Sequence, residues 1–508
     1  METAANPLIV LAPDDDVAVA RLELAAGSPL AHADLSLTCR DAIPAGHKLA
    51  LRAIPAGGLV RKYGQVIGMA LSDIQPGELV HVHNLGMPPA SARGGQAPAS
   101  AQAAAPVQAS FQGYRRSNGA VGTRNYLGIV SSVNCSATVC RKIAQAFTPE
   151  RLAAWPNVDG VVAITHGGGC GTGVSGEGVE LLRRTLQGYA DQPNFAGVLV
   201  IGLGCEAMQS GALVASLRPR DEDLLAHLVI QEAGGTAETI ARGIALIEGM
   251  LPLANRAERT PQPASALRLG LQCGGSDGYS GISANPALGA AVDLLVRAGG
   301  TAILSETPEI YGAEHLLTTR AVVPGVADAL LERIRWWEAY VTQHGGEMDN
   351  NPSPGNKRGG LTTILEKSLG AVAKGGSSPL VAVYRYAEPV TAAGLVFMDT
   401  PGYDPVSATG QVAGGANLLC FTTGRGSTYG CKPTPSVKIA SNDGLFQRMA
   451  EDMDFNAGPI VTGQESIAAA GQRLFELLLA VASGQRTCSE SNDLGDNEFV
   501  PWQLGAVM

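Results

Sequence analysis

The sequence predicts a multidomain α/β protein in which a small all-β N-terminal module precedes two doubly wound domains of the Rossmann or flavodoxin-like type. The chain has 508 residues, which is too many for one ordinary hydrophobic core. Residues 88–110 are rich in Ala, Pro, Gln and Ser and show no apolar period, as is typical of a flexible linker. Beyond this linker, short apolar runs alternate with helical periodicities, which indicates parallel α/β architecture.

The all-β module is expected over residues 1–87. Its short apolar runs are separated by a recurring turn, Ile-x-x-Gly, at residues 43–46, 54–57 and 74–77. Similar turns between short strands favour a compact β-clip or a small barrel.

The two α/β domains are expected over residues 111–345 and 346–508. Apolar runs bounded by glycine and polar residues predict the strands, and apolar residues at helical spacing predict the helices between them. In the first domain we predict strands at 127–133, 161–165, 198–203, 267–271 and 301–305, and helices at 140–147, 178–188, 221–233, 236–250 and 284–298. In the second domain we predict strands at 380–384, 394–398, 418–422 and 437–440, and a long helix at 463–483.

Charge and composition exclude several classes of function. The net charge of −10 argues against nucleic acid or an anionic membrane as the main partner, although it is compatible with a local site for an anionic substrate. The start of the chain lacks the basic and apolar regions of a signal peptide, and no apolar stretch reaches transmembrane length. We therefore expect a cytoplasmic protein whose nine cysteines are reduced, metal-bound or catalytic.

Four cysteines each follow an apolar run that is predicted to be a strand. Ligands of open α/β sheets bind outside the carboxyl ends of the strands, so we expect these thiols to approach one edge of one sheet. A free cysteine is often only a small buried hydrophobe, but positions flanked by glycine at strand ends are not core positions. The metal ligands that we predict at such strand ends are Cys135, Cys170, Cys205, Glu206, Cys273 and Glu306.

Histidines mark a second group of candidate residues. His81 and His83 alternate in a predicted strand, which would place both imidazoles on one face. Two such rings can hold a metal, position a carboxylate or move protons, and the alternative is a solvated edge strand. His47-Lys48 follows the first Ile-x-x-Gly turn, and His166 lies in the glycine-rich loop after the second predicted α/β strand.

Further charged side chains lie in glycine-rich loops. Glu306 and Glu309 end a predicted strand, Lys357 belongs to a cationic segment, and Arg425 between two glycines can present its guanidinium to a carboxylate. The glycine-rich loops match neither the phosphate-binding P-loop nor the dinucleotide-binding fingerprint. Acids, bases, a guanidinium and thiols at strand ends together indicate an enzyme.

Several of these segments occur together in one known family. In the N-terminal module they are Gly46-His47-Lys48, Lys62-Tyr63-Gly64 and His81-Val-His83-Asn84. In the body they are Arg115-Arg-x-Asn-Gly119, Gly122-x-Arg124-Asn125, Gly204-Cys205-Glu206, Cys273-Gly-Gly-Ser-Asp277-Gly, Pro354-Gly-Asn356-Lys357 and Thr422-Thr-Gly424-Arg425-Gly426. Over nearly its whole length the chain thus resembles the altronate/galactarate dehydratases, whose N-terminal domain is a SAF-type β-clip.

The resemblance implies a lyase that removes water from a sugar acid such as altronate or galactarate and leaves a 2-keto-3-deoxy acid. The predicted acid/base residues are His47, Lys48, His81, His83, His166 and Lys357. The predicted substrate-binding residues are Asn84, Arg124, Asn125, Ser276, Asp277 and Arg425.

The resemblance also implies a divalent metal ion, most often Fe²⁺, with Mn²⁺ as an alternative. Thiolates suit an iron–sulfur cluster or zinc, whereas carboxylates with histidine suit a single hard cation. A mononuclear ferrous site and an iron–sulfur cluster on some of the four strand-end cysteines therefore both remain open.

The expected partner is a small-molecule sugar acid, with no nucleic acid and no membrane, and the expected assembly is a homodimer or a higher homo-oligomer. Two alternatives fit the same residues. One is a sulfo-lyase that releases sulfite from a 2-hydroxy-3-sulfo acid such as sulfolactate, because this reaction also eliminates a β-substituent. The other is a non-catalytic sugar-acid sensor.

Overall fold

Two parallel β-sheets and an antiparallel β module form the framework of the protein. The computed structural model describes residues 6–32, 35–92, 105–171, 173–218 and 222–505. The predicted fold class is confirmed, since a strand-rich N-terminal region precedes parallel α/β sheets. The linker expected at 88–110 lies partly outside the described residues, which resume at Ala105.

The strands are β1 Leu8–Ile9, β2 Val17–Ala20, β3 Pro29–His32, β4 Leu35–Thr38, β5 Lys48–Ala50, β6 Leu59–Lys62, β7 Gln65–Ala70, β8 Leu79–Val80, β9 Leu85–Gly86, β10 Ser110–Arg115, β11 Val121–Gly122, β12 Tyr126–Ser131, β13 Gly160–Ile164, β14 Phe195–Gly202, β15 Leu225–Val229, β16 Thr260–Pro263, β17 Arg268–Cys273, β18 Thr301–Leu304, β19 Leu380–Tyr384, β20 Gly394–Met398, β21 Leu418–Thr423, β22 Ser436–Ala440 and β23 Phe455–Asn456. The helices are α1 Asn134–Gln145, α2 Pro149–Leu152, α3 Glu177–Ala190, α4 Ser210–Ser216, α5 Thr236–Ala254, α6 Ala284–Arg297, α7 His315–Thr318, α8 Pro324–Gln343, α9 Pro354–Arg358, α10 Ile364–Val372, α11 Asp404–Ala413, α12 Asp443–Arg448, α13 Gly458–Thr462, α14 Ile467–Ala482 and α15 Cys488–Ser491. Within the described residues, no helix has both the length and the apolar character needed to cross a membrane.

The N-terminal module is all-β, as predicted. Strands β1, β2, β5 and β8 form one antiparallel sheet, β6, β7 and β9 form a second, and β3 and β4 form a hairpin. The Ile-x-x-Gly turns bury Ile43, Ile54 and Ile74, and each ends on a glycine whose φ is positive. Glycine adopts this backbone conformation at little cost, which explains why the turn recurs in the sequence.

The first parallel sheet has the strand order β13-β12-β14-β15. Helices α1 and α5 pack on one face through Ile143 and Ile247. Helices α3 and α4 pack on the other face through Leu186 and Leu213, and this second apolar layer continues into α11 of the next sheet. The sheet is therefore covered on both faces, as its continuous apolar strands require.

One element of this sheet differs from the prediction. The helix expected over 221–233 is wrong, because residues 225–229 form the edge strand β15, which pairs in parallel with β14. The local spacing of apolar residues there is compatible with a helix, but pairing with the edge of the sheet determines the outcome. Tertiary contacts commonly override a local preference of this kind.

The second parallel sheet has seven strands in the order β19-β20-β18-β17-β21-β22-β23. Its central strands β17 and β18 precede residue 345, so the domain boundary expected between residues 345 and 346 does not separate the two sheets. The sheets divide between β15 and β17 instead, where β16 pairs with β10. A repeated strand–helix pattern looks the same in both sheets, and it does not indicate which strands pair.

The β module packs against the seven-stranded sheet near its carboxyl edge. Ile67, Val80 and Leu85 of the module belong to one apolar cluster with Leu288 of α6 and Leu369 of α10. A shared buried cluster stabilises this arrangement through the hydrophobic effect and places the loops of the module over the ends of the parallel strands.

Candidate active site

Two lysines of the β module contact one buried glutamate of α10. Lys48 Nζ donates hydrogen bonds to Glu366 Oε2 over 2.8 Å and to the carbonyl oxygen of Gly360 over 2.7 Å. Lys62 Nζ donates to Glu366 Oε1 over 2.9 Å, and all three side chains are buried. Buried charges lose their hydration, and each of these ammonium groups is accordingly paired with the shared carboxylate of Glu366.

Burial and charge act differently on these three groups. Burial lowers the pKa of Lys48 to about 8, and Glu366 offsets only part of this effect. Burial also opposes ionisation of Glu366, but Lys48 and Lys62 outweigh it and hold the pKa of this carboxyl well below its usual range. The amine of Lys48 is thus the group of this cluster that loses its proton nearest to neutral pH.

Two imidazoles of the module face each other beside this ion pair. The ring centroids of His47 and His81 lie 5.2 Å apart in an edge-to-face arrangement. Burial lowers the pKa of His81 to about 4, and burial lowers the pKa of His47 as well, with Lys48 adding repulsion in both cases. Both rings are therefore neutral at neutral pH, and each can accept a proton.

The expected pairing of His81 with His83 is wrong. Strand β8 ends at Val80 and the following residues form a turn, so the two histidines do not alternate along a strand, and His83 is exposed. Asn84 stabilises this turn, because its Oδ1 accepts from the backbone N–H of His81 and its Nδ2 donates to the carbonyl oxygen of Leu79. These bonds give Asn84 a structural role instead of the predicted contact with substrate.

The loop after β17 contacts the His47 turn. A Cβ on Gly278 would lie 2.0 Å from the carbonyl oxygen of Gly46, so the two loops meet backbone to backbone. Asp277 organises this loop, because its Oδ1 accepts from two side-chain hydroxyls and two backbone N–H groups and its Oδ2 accepts from Asn442. These contacts occupy the Asp277 carboxylate, which therefore shapes the loop, and the buried Ser276 accepts from Asn356 through its carbonyl oxygen.

Two cations, one on a loop and one on the short helix α9, lie on segments that contact this loop. The backbone N–H of Arg425 donates to the carbonyl oxygen of Gly275 over 2.8 Å, so the loops after β17 and β21 meet. The side chain of Arg425 is exposed and that of Lys357 is half-buried. Within the part of the chain that the structure describes, neither side chain has an ion-pair or hydrogen-bond partner, which leaves both available for an anion.

A buried polar network lies at the ends of β17 and β18. Cys273 Sγ is 3.5 Å from Glu306 Oε2 and 3.2 Å from Glu309 Oε2. Lys374 Nζ donates to Cys273 Sγ over 2.9 Å and also contacts Glu306, while Lys367 Nζ donates to Glu309 Oε1 over 2.7 Å. Glu306 has a φ of +67°, a strained conformation that is held by a hydrogen bond from its N–H to Thr400.

The network contains its own counter-charges. Burial raises the pKa of Glu306 to about 8, and burial with the charge of Glu309 raises the pKa of Asp404 to about 7. Burial opposes ionisation of Glu309 as well, but Lys367 and Lys374 outweigh it and lower the pKa of Glu309. The two ammonium groups thus stabilise the Glu309 carboxylate, whereas Glu306 and Asp404 hold their protons more tightly than ordinary carboxyl groups.

The charges of this network determine whether Cys273 and Glu306 can bind the predicted metal ion. Among the described residues, Cys273, Glu306 and Glu309 are the group whose ligand atoms lie within 4.8 Å of one another. Two ammonium groups already contact these atoms, and a divalent cation between them would be repelled. The donor set of Cys273 and Glu306 therefore does not fit the metal site that we predicted from the sequence.

The four strand-end cysteines do not share one site. Cys135, Cys170 and Cys205 follow β12, β13 and β14 at one edge of the four-stranded sheet, and all three are exposed. Cys273 follows β17 in the other sheet and is buried. The expectation of one shared edge is thus wrong for Cys273, because strands β12 and β17 belong to different sheets.

Glu206 and His166 belong to the edge with the three exposed cysteines. Both carboxylate oxygens of Glu206 are occupied, by the Ser132 hydroxyl over 2.9 Å and by the backbone N–H of Gly204 over 2.6 Å, so it ties loops together instead of offering a free ligand atom. His166 is buried between two cavities of about 350 and 560 Å³, and burial lowers its pKa to about 4. It lies apart from the other histidine candidates, which belong to the β module.

Two residues predicted to bind substrate have structural roles. The donors of Arg124 are directed at Glu490 and at three carbonyl oxygens, including that of Val481. The Asn125 side chain accepts from Arg116 and donates to two carbonyl oxygens, including that of Ala254. Neither side chain retains a free donor, because both fix the turn that leads into β12.

Sequence reasoning did not assign roles to four residues of the buried clusters. They are Glu309, Glu366, Lys367 and Lys374. One signal was present: Lys374 directly follows the run of residues 369–373, which has no polar side chain, and a lone charge beside an apolar run usually has a buried partner.

The chain matches three family models that together cover most of its length. In chain order they are the altronate/galactarate dehydratase SAF domain (residues 6–88), the D-galactarate dehydratase/altronate hydrolase second domain (residues 113–255) and the D-galactarate/altronate dehydratase C-terminal domain (residues 264–507). These bounds agree with the division into a β module, a four-stranded sheet and a seven-stranded sheet.

Individual relatives match over similar lengths. The chain is 40% identical over 454 residues to galactarate dehydratase (L-threo-forming) of Escherichia coli K12, covering 87% of each chain. It is 36% identical over 481 residues to altronate dehydratase of the same organism, covering 94% of this chain and 96% of the relative. It is 32% identical over 397 residues to the beta subunit of (2R)-sulfolactate sulfo-lyase of Chromohalobacter salexigens, covering 78% of this chain and 97% of that subunit.

Proposed function

The chain belongs to the D-galactarate/altronate dehydratase family, and we propose that it is a hydro-lyase that removes water from a sugar acid to give a 2-keto-3-deoxy acid. One observation carries the proposal: His47, whose ring faces that of His81, follows the turn that meets the loop after β17, and this loop also contacts the Arg425 loop and the end of α9, the helix of Lys357. Acid/base groups and cations thus meet at the carboxyl edge of a parallel sheet, where such folds bind ligands.

The chemistry of the elimination explains this set of residues. The proton next to a carboxylate is barely acidic and the β-hydroxyl is a poor leaving group, so the reaction needs both a base and an acid. In the proposed reaction, Arg425 and Lys357 bind the substrate carboxylate and stabilise the negative charge that develops on it. One of the two facing imidazoles takes the α-proton.

The same pair of rings supports the second half of the reaction. A base with a low pKa becomes a strong acid once it is protonated, so the imidazolium readily gives its proton to the departing hydroxide. The proton taken from the α carbon leaves as part of the released water, and the two rings return to their neutral forms. Burial is the main cause of the low pKa of His47 and His81, and Lys48 and Glu366 are positioning residues whose charges modify it.

No step is assigned to a metal ion at this edge of the sheet. The carboxylates there are already paired with ammonium groups, Glu366 with Lys48 and Lys62 and Glu309 with Lys367. The carboxylates of this site are therefore not free to bind the divalent metal ion that the family resemblance implies.

The proposal is tested with the purified full-length chain, prepared without oxygen in the presence of Fe²⁺. Galactarate, altronate and a panel of other aldonates and aldarates are incubated with the enzyme, and the 2-keto acid is measured as its semicarbazone. We expect turnover of at least one substrate and loss of most of the activity in the matched pair His47→Gln and His81→Gln. Absence of a 2-keto acid from the whole panel contradicts the proposal.

A second activity is supported by the match to almost the whole sulfo-lyase beta subunit. Expulsion of sulfite from a 2-hydroxy-3-sulfo acid needs the same α-proton abstraction and the same carboxylate binding. Sulfite release from sulfolactate, measured with a thiol-reactive dye, distinguishes the two reactions. Sulfite production without turnover of any sugar acid would favour this second function.

A further inference from the structure

We propose that Cys135, Cys170 and Cys205 hold an iron–sulfur cluster at the carboxyl edge of the four-stranded sheet, a site separate from the proposed dehydratase residues of the β module. The strand order places these three residues together. Strand β12 lies between β13 and β14, and Cys135, Cys170 and Cys205 each follow one of these neighbouring parallel strands. The three thiols therefore converge from the middle strand and from both of its neighbours.

Hydrogen bonds join the three loops to one another. The backbone N–H of Asn134 donates to the carbonyl oxygen of Gly168 over 2.9 Å, which ties the first cysteine loop to the second. The Ser132 hydroxyl donates to Glu206 over 2.9 Å, which ties the first loop to the third. Cys135 and Cys205 are neighbours of these tied residues, so the contacts set the relative positions of the thiols.

The glycines of these loops allow the close approach. Gly169 has a φ of +94°, and a Cβ there would lie 2.9 Å from the carbonyl oxygen of Ser132. Gly204 has a φ of +125°, and a Cβ there would lie 2.5 Å from the Gln231 side chain. Each glycine immediately precedes a cysteine. Glycine adopts a positive φ at little cost, and it therefore allows the backbone beside each of these two thiols to turn tightly.

The surroundings of the thiols suit a cluster of soft metal ions. All three cysteines are exposed, whereas Cys140 and Cys420 are buried as ordinary core residues. The Cys135 thiol lies near those of Cys170 and Cys205. Cys135 is also the second residue of α1, so its thiol lies at the amino terminus of that helix.

The spacing of the thiols favours a cluster over a single ion. Ligands of one tetrahedral ion lie within about 4 Å of each other, given metal–sulfur distances of about 2.3 Å. The three thiols do not all lie within 4.8 Å of one another, since the described residues contain one group that satisfies this limit and it is a different one. In a cluster each thiolate binds a different iron, which allows the wider spacing.

Three protein ligands leave one iron of a four-iron cluster open. The cavity of about 560 Å³ beside Cys170 is also lined by His166 and Gln503, so a small ligand has room next to that iron. The Nε2 atom of His166 is buried and has no hydrogen-bond partner among the described residues. This imidazole therefore lines the same cavity as Cys170 with a free ring nitrogen among the described residues.

The test uses the full-length chain, incubated without oxygen with Fe²⁺ and sulfide and then desalted under reducing conditions. Iron and acid-labile sulfide are counted, and the absorption and electron paramagnetic resonance spectra are recorded. We expect about four irons and four sulfides per chain, as in a cubane cluster. Cys135→Ser, Cys170→Ser and Cys205→Ser each should lower the loading several-fold, and Cys488→Ser, which lies outside the group, should load like the wild type.

A second variant keeps all three thiols. Gly169→Ala adds the methyl group that would contact Ser132, so it should displace the Cys170 loop and lower the loading while Cys170 remains. Circular dichroism and thermal melting establish that each variant is folded. Equal loading of the wild type and Cys135→Ser, or one iron per chain without sulfide, would overturn the proposal. A loaded cluster in a protein that turns over no sugar acid would instead contradict the proposed function and leave this inference intact.

Discussion

Lys48 Nζ lies 2.8 Å from Glu366 Oε2, and both side chains are fully buried between the β module and α10. Lys62 of the same module contacts the other oxygen of Glu366. One carboxylate of the body thus compensates two ammonium groups of the module. The contact joins the module to the sheet edge and also determines the charge next to His47 and His81.

We predict that Glu366→Gln strongly destabilises the protein. The substitution leaves Lys48 and Lys62 buried without a counter-charge, and removal of one partner of a buried ion pair costs about 3–5 kcal/mol. The free energy of unfolding, measured with urea at neutral pH, checks this expectation. Glu238→Gln is the matched control, because it breaks the half-exposed pair with Arg242 and should cost under about 1 kcal/mol. Equal losses in both variants would contradict the prediction.

We predict that Lys48→Met and Glu366→Gln shift the pH dependence of turnover in opposite directions. Burial and the positive charge of Lys48 lower the pKa of His81 to about 4, and the negative charge of Glu366 acts against them. Loss of the positive charge should therefore raise the pKa of the imidazoles, and loss of the negative charge should lower it further. In profiles of kcat against pH, the acidic limb should move to higher pH in Lys48→Met and to lower pH in Glu366→Gln. Shifts in the same direction would contradict the proposed positioning role.

Stability should vary with pH independently of this effect. Burial lowers the pKa of Lys48 to about 8 in the folded chain, whereas the unfolded chain keeps the ordinary value of about 10.5. Between these values the unfolded chain binds more protons, so the contribution of Lys48 to stability increases as the pH rises through this window. Below pH 8 its burial is a constant cost, and Lys48→Met should remove the increase seen above pH 8 in urea titrations.

We predict that Lys374→Met destabilises the protein more at pH 9 than at pH 7. Burial raises the pKa of Glu306 to about 8 even though Lys374 contacts it, and loss of the ammonium group raises that pKa further. A carboxyl with a raised pKa binds a proton in the folded state that it releases on unfolding. Its contribution to stability therefore falls as the pH rises from the unfolded value towards the folded one, and in the variant this fall continues above pH 8.

Unfolding in urea at the two pH values measures this difference. Lys142→Met on the exposed surface of α1 is the control, and its effect should be small and independent of pH. A Lys374→Met effect that is equal at pH 7 and pH 9 would indicate that Glu306 does not depend on Lys374 for its charge.

Part of this architecture could be predicted from the sequence because it depends on the order of residues within short segments. Apolar runs followed by glycine-rich loops place Cys135, Cys170 and Cys205 at strand ends, and parallel strands bring those ends to one edge. The sequence could not show that Cys273 belongs to a different sheet, because pairing is decided by contacts distant along the chain. Edge strand β15 was missed for the same reason.

The buried ion pairs were equally hidden from sequence reasoning. Lys48 is separated from Glu366 by more than three hundred residues, and only the docking of the β module brings them together. Arg124 and Asn125 show the opposite error. Their residue types suit substrate binding, but the folded chain uses all of their donors in a structural turn.

We predict that Arg425→Ala raises the KM for the sugar acid by about 10- to 100-fold, which corresponds to the loss of a charge-assisted hydrogen bond. The Arg425 side chain is exposed beside the loop after β17, so its removal should leave stability unchanged. Arg425→Lys keeps the charge but loses the two-pronged geometry, and its KM should be intermediate. Arg448→Ala on the exposed face of α12 is the control and should keep the KM of the wild type. A fall in kcat at constant KM would mean that Arg425 contacts only the transition state, and unchanged values of both kcat and KM in Arg425→Ala would mean that it does not bind the substrate carboxylate.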